Sequence, residues 1–328
     1  MNLHDAGAPL PAALRYGERE HSRVVMQRIL VIIDSADTMY ACIEKATRIA
    51  SSCGSAIELM VRDFEIELPG SWAGGHRTKE LRMALRKRRE EELEAAAETL
   101  KQRGLNVTVT TEWTLEHSER LAEWVVRSKP DLVVCGRRVH GAKPGLPKPA
   151  DLKLLHETAA PLLLVSGLAW RDHPVIVAAV DPCHPAERPV LLEQDIFAKA
   201  CSLAASLAGQ IVLLHVLERV PHLRGEPVSP ELQAQADAKA RREVEALVRP
   251  QCRSLAEIRF EEGPVPATIA DMVQSRAPDI LVIGFAARQR QSHSGANATA
   301  PKVLEQVSCD VLIVKPPGFV SPLLVTDS

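Results

Sequence analysis

Short unbroken apolar runs alternate along this chain with longer stretches in which apolar residues recur at helical spacing. Arg28-Ile-Leu-Val-Ile-Ile-Asp34 is the first run and Gly54-Ser-Ala-Ile-Glu-Leu-Met60 the second; Pro130-Asp-Leu-Val-Val-Cys-Gly136 and Pro161-Leu-Leu-Leu-Val165 follow. Runs this short and this apolar predict strands buried on both faces. Tyr40 to Cys53, Thr78 to Arg103, Glu119 to Ser128 and Lys153 to Thr158 have helical period, and Gly104 closes the second of them as a helix C-terminus should. Val107 to Thr111 supplies one more strand.

The same series is written again about 150 positions later. Its strands are Val175-Ile-Val-Ala-Ala-Val-Asp181, Gly209-Gln-Ile-Val-Leu-Leu-His215, Ser254 to Phe260, Pro278-Asp-Ile-Leu-Val-Ile-Gly284 and Asp310-Val-Leu-Ile-Val314. Its helices are Phe197 to Ala208, Ser229 to Val248, Thr268 to Ser275 and Lys302 to Val307, with Ser229-Pro230 in N-cap and first-turn positions. Strands alternating with helices predict an α/β fold in which each half is a five-stranded parallel sheet covered on both faces. The predicted domains are 26–167 and 174–316, flanked by tails at 1–25 and 317–328 that read as poorly ordered. Gly167 to Pro174 is the linker. At about eight residues it is short enough to hold the domains together as a pseudo-twofold pair, like a homodimer fused into one chain.

Composition adds exclusions. The chain has 328 residues, enough for two cores. Forty Lys and Arg against 42 Asp and Glu, a formal net charge of -2, leave no global electrostatic case for nucleic acid or an acidic membrane. No apolar run reaches the roughly 18 to 20 residues of a membrane span, and residues 1–25 carry charges where a signal peptide is apolar. The expected location is the cytoplasm. Seven scattered cysteines with no CxxC pair indicate neither a disulfide framework nor a zinc knuckle, and most read as small core residues.

In an open parallel sheet, ligands lie beyond the carboxyl ends of the strands where chain order reverses. Asp34 and Asp181 end the first strands of the two halves, and Gly136 and Gly284 end the fourth. Such an aspartate either accepts a hydrogen bond from a ribose or base, or serves as a cap or turn residue.

The strands ending in Asp34 and Asp181, the two Pro-Asp segments ending in Gly136 and Gly284, and Val-Leu-Glu-Gln-Val-Ser-Cys-Asp-Val-Leu-Ile-Val-Lys-Pro316 together resemble the universal stress protein family, specifically its tandem members. The resemblance spans Gln27 to Pro316. It implies two Rossmann-like, adenine nucleotide alpha hydrolase-like domains and a role in survival under stress. ATP-binding members carry Gly, two residues, Gly, nine residues, then Gly followed by Ser, Thr or Asn, because glycines let the backbone approach phosphates at a helix N-terminus. Counted from Gly284, Ala287 and Asn297 stand where the second and third glycines belong, with Ala298 next. Gly295, Ser292, Ser294 and Thr299 offer partial compensation, and Thr299 either caps the following helix or touches a phosphate. The first half departs further, with three prolines between Gly136 and Asp151.

The candidate cofactor pocket is therefore in the second domain, bounded by Asp181, Pro182, Val216, Gly284, Phe285, Ala287, Asn297, Ala298 and Thr299; Val216 enters because the residue after the second strand borders adenine in the family. The expected function is non-catalytic binding or interaction in the stress response, with no cofactor assigned. The alternatives are an adenine nucleotide, ATP included, held or slowly hydrolysed in the second domain, and an apolar-ligand or protein-docking module. Expected partners are the paired domain, a second copy of the chain, or an unidentified protein or small molecule.

Three further clusters carry charge or metal-ligand chemistry. Arg137, Arg138, His140, Lys143 and Lys148 read as a solvated basic loop, and Arg86-Lys-Arg-Arg89 before Glu90-Glu-Glu92 as an exposed helix with internal ion pairs. Asp181, Cys183, His184 and His293 have metal-ligand chemistry, but spacing does not establish that they meet, and no metal is assigned. No GxSxG, GxxxxGK[ST] or GxGxxG occurs.

Overall fold

The structure, a computed structural model, describes residues 26–33, 36–61, 76–111, 118–137, 139–140, 143–144, 149–183, 190–219, 222–223, 226–248, 254–285 and 299–324. The first repeat runs β1 (Arg28–Ile33), α1 (Ala36–Cys53), β2 (Ala56–Val61), α2 (His76–Gln102), β3 (Val107–Thr111), α3 (Ser118–Ser128), β4 (Leu132–Gly136), α4 (Pro149–Glu157) and β5 (Leu162–Val165). The second runs β6 (Val175–Ala179), α5 (Val190–Leu207), β7 (Gln210–Leu217), α6 (Pro230–Val248), β8 (Leu255–Glu262), α7 (Val265–Arg276), β9 (Ile280–Gly284), α8 (Thr299–Leu304) and β10 (Asp310–Val314). Two antiparallel hairpins, 139–140 with 143–144 and 222–223 with 226–227, lie outside the main sheet.

All ten strands form one sheet in the order β8-β7-β6-β9-β10-β5-β4-β1-β2-β3. Every neighbouring pair is parallel except the central one, where Val311, Leu312 and Ile313 pair antiparallel with Leu164, Leu163 and Leu162. The two repeats thus join edge to edge about a pseudo-twofold axis, and each covers the edge the other would expose. Continuous apolar strands are explained by two cores. Ile29, Val31 and Ile33 face α1, α2, α5 and α6, whereas Leu30 and Ile32 face α3, α4, α7 and α8.

Buried polar contacts lock the pair. Asp310 accepts hydrogen bonds from the Ser166 amide and hydroxyl at 2.7 Å each and from Trp170 Nε1 at 2.8 Å. Lys45 Nζ, fully buried on α1, lies 2.6 Å from its Oδ2. Asp131 and Asp279, the aspartates of the Pro-Asp segments, each bind the start of their repeat's first strand: Asp131 accepts from the amides of Gln27 and Arg28, and Asp279 from that of Val175.

Several expectations need correction. Arg137 is not in a solvated loop: it is fully buried and donates to the carbonyls of Leu304, Val307 and Cys309 at 3.0, 2.5 and 3.4 Å, capping the C-terminal end of α8 across the domain boundary. The segment after Pro316 is not a loose tail as far as Leu324. Phe319 lies 5.0 Å from Lys315 Nζ, Ser321 is buried, and Pro322–Leu324 form a 3-10 turn. Helices α1, α5 and α7 start earlier than expected, and α8 starts at Thr299 and ends at Leu304, because Pro301 is tolerated within a first turn. Cys42, Cys135 and Cys309 are buried thiols as expected, but Cys201 is disulfide-bonded. In α2 the expected ion pairs are present, Arg88 and Arg89 with Glu92 and Lys87 with Glu91. No helix among the described residues is long and apolar enough to cross a membrane.

Candidate functional site

Chain order reverses between β6 and β9, and a small open cleft lies at the carboxyl ends of these strands. Its walls are apolar: Val180 after β6, Leu214 and Val216 on β7, Val265 and Ile269 on α7, and Ile283 on β9. Its polar groups are Asp181, His215, Glu218 and Thr299. Among the described lining residues there are two carboxylates and neither lysine nor arginine.

Of the residues expected to bound this pocket, Asp181, Val216, Gly284 and Thr299 line it. Thr299 is the first residue of α8 and not the residue before it. Phe285 points elsewhere: it is buried edge-on against His156 of the first repeat, with ring centroids 5.0 Å apart, and lies 4.1 Å from Lys315 Nζ. Pro182 is half-buried outside the lining. Ala287, Asn297 and Ala298, with His184 and His293, lie outside the described residues.

His215 is the cleft residue the motifs did not indicate. It is 4% exposed, and its Nδ1 lies 2.9 Å from the Val180 carbonyl. A carbonyl only accepts, so Nδ1 is the donor in this contact, and Nε2 is the nitrogen left for another partner. His215 is the one polar side chain in the buried run from Ile211 to Leu217, and that was the available signal. Ligand atoms of Asp181, Cys183 and His215 lie within 4.8 Å of one another. Cys183 folds back over Asp181, its amide 3.4 Å from Oδ1, and the Asp181 amide donates to Glu193 at 2.7 Å. Burial, and then the Asp181 carboxylate, push the Cys183 thiol up to about 11, opposite to the depression a nucleophilic cysteine needs.

A doubled α/β unit with a ligand cleft at one switch point defines the class: a two-domain nucleotide-fold protein on a single chain. The profile of the Universal stress protein family matches residues 26–166 and again 175–315, and the chain belongs to that family. It is 21% identical over 310 residues to Universal stress protein E of Photorhabdus laumondii, covering 90% of this chain and 97% of the relative. Against Universal stress protein E of Escherichia coli K12 it is 23% identical over 323 residues, covering 92% and 98%. The crystal structure of a functionally unknown Pseudomonas aeruginosa PAO1 protein superposes with a TM-score of 0.64 at 21% identity, over 90% of this chain and 94% of that one, which shows the shared fold.

Proposed function

We propose that this tandem universal stress protein acts by binding or interaction and not by turnover, and that its second-domain cleft has lost the grip on triphosphate. The observation that carries the reading is the lining: Asp181 and Glu218 present carboxylates, and no lysine or arginine stands among the described lining residues to offset an anion. Two of three loop glycines are replaced by Ala287 and Asn297. The apolar walls suit a neutral or cationic small molecule or a protein side chain. A second copy of the chain is one candidate partner; nucleic acid does not suit a net charge of -2.

Calorimetry with ATP and Mg²⁺ is expected to show no heat at high micromolar nucleotide. Native mass spectrometry of freshly purified protein is expected to show no adenine-nucleotide mass. Stoichiometric ATP carried through purification would overturn the reading in favour of the second one, nucleotide held or slowly hydrolysed in this domain. That reading draws on Gly284 and Thr299, which flank the same cleft where a phosphate would lie.

A further inference from the structure

We propose that Asp181, Cys183 and His215 form a binding site for a divalent transition ion, zinc in the first instance, on the wall of the second-domain cleft. Three elements of chain bring the donors together. Asp181 follows β6, Cys183 is returned toward it by the turn in which its amide meets Asp181 Oδ1, and His215 lies on the adjacent strand β7. One oxygen, one sulfur and one imidazole nitrogen are the donors zinc takes, and three protein ligands with an open fourth position make an exchangeable site.

The geometry is partly set in advance. The Val180 carbonyl holds His215 through Nδ1, which leaves Nε2 as the nitrogen to offer a metal, and Phe260 packs against the imidazole with centroids 6.2 Å apart. Glu193 fixes the Asp181 backbone from α5. Zinc bonds of about 2.0–2.3 Å place tetrahedral ligand atoms about 3.3–3.8 Å apart. The donors here lie within 4.8 Å, so closure by about 1 Å completes the site. Cys183 is a free, half-buried thiol; on binding, its proton passes to solvent and the thiolate takes the metal.

The set is peculiar to the second repeat. At the matching positions of the first, Asp34 is retained, but Ala36 replaces Cys183 and, in the register of the sheet, the buried Val61 replaces His215. Repetition of the fold therefore does not require these donors. Asp181 and His215 also line the cleft, so an ion held here occupies the wall that a nucleotide would face.

The test uses the full-length protein with Co²⁺ alone and Zn²⁺ alone. One equivalent of Co²⁺ is expected to give a thiolate-to-cobalt charge-transfer band together with the intense visible bands of a four-coordinate ion. Cys183→Ser removes the charge-transfer band and weakens Zn²⁺ binding at least about tenfold, as does His215→Gln, whereas Cys53→Ser leaves both unchanged. Absence of the band in the unmodified protein overturns the proposal, as does its survival in Cys183→Ser. Cys183 is half-buried, so its serine variant keeps the test valid should the buried His215 variant fail to fold.

Discussion

Lys315 follows β10 directly and brings an ammonium group into the second core. It is 4% exposed, and among the described residues its Nζ has no hydrogen-bond partner; it lies over the rings of Phe285 at 4.1 Å and Phe319 at 5.0 Å. Burial lowers its pKa from 10.5 to about 7. Between these values the unfolded chain holds the proton and the folded chain does not, so stability rises with pH across that window; below it the full penalty applies, up to about 5 kcal/mol before the two rings offset part of it. His156, lowered first by burial and then by the Lys315 charge, acts in the same direction at lower pH. Lys315→Met is expected to stabilise the protein by about 1–3 kcal/mol near neutral pH and to flatten that rise, as measured by urea unfolding at several pH values. Little of this was legible in the sequence. Arg137 and Lys315 look like surface cations in a local window, and both are buried because the other repeat or the last turn of chain covers them. His215 was likewise hidden, since its meaning depends on which residue of β6 it lies beside.

At the scale of elements the glycines ending β4 and β9 are set by helix packing. A Cβ on Gly136 would lie 1.8 Å from Thr38 Oγ1 and 2.6 Å from Thr38 Cβ on α1. On Gly284 it would meet the ends of Ile196 and Leu192 on α5 at 2.8 and 3.0 Å. Flexible side-chain ends yield more readily than atoms fixed to a helix backbone. Gly136→Ala is therefore expected to cost about 2–3 kcal/mol and Gly284→Ala about 1 kcal/mol, read from urea midpoints. Thr38→Ala in the Gly136→Ala background removes the shorter contact only and recovers part of the loss; equal costs at the two glycines would contradict this account. Both glycines stand out in the sequence, where phosphate approach is the expected reason for Gly284. The structure supplies a reason that operates with or without a ligand. Strands were legible because burial on both faces leaves unbroken apolar runs, and the Pro-Asp segments marked strands correctly without disclosing that Asp131 and Asp279 tie β4 and β9 to β1 and β6. Helix starts were less legible: α1, α5 and α7 begin ahead of Tyr40, Phe197 and Thr268, although Met39 in α1 and Leu192 and Ile196 in α5 already belong to the core face.

The whole molecule depends on how firmly one repeat holds the other. A short linker carrying Trp170 foretold contact, and the structure shows its form: a continuous sheet, α1 packed on α5 with Cys53 Sγ 3.2 Å from Ser206 Oγ, and Asp310 bound by Lys45 and Trp170. An ion pair buried this deeply adds little over a well-packed apolar pair, yet removing one partner strands the other charge away from water. Asp310→Ala is thus expected to cost about 3–5 kcal/mol, most of it from Lys45 left in the core. Because Asp310 belongs to the second repeat and Lys45 to the first, the loss falls on the junction. Calorimetric unfolding of the unmodified chain is expected to show one transition, and that of Asp310→Ala two, as the repeats melt separately. Adding Lys45→Met should restore much of the stability and merge the transitions again. If Asp310→Ala instead lowers a single transition that Lys45→Met does not recover, the hydrogen bonds from Ser166 and Trp170, and not the stranded ammonium, hold the repeats together.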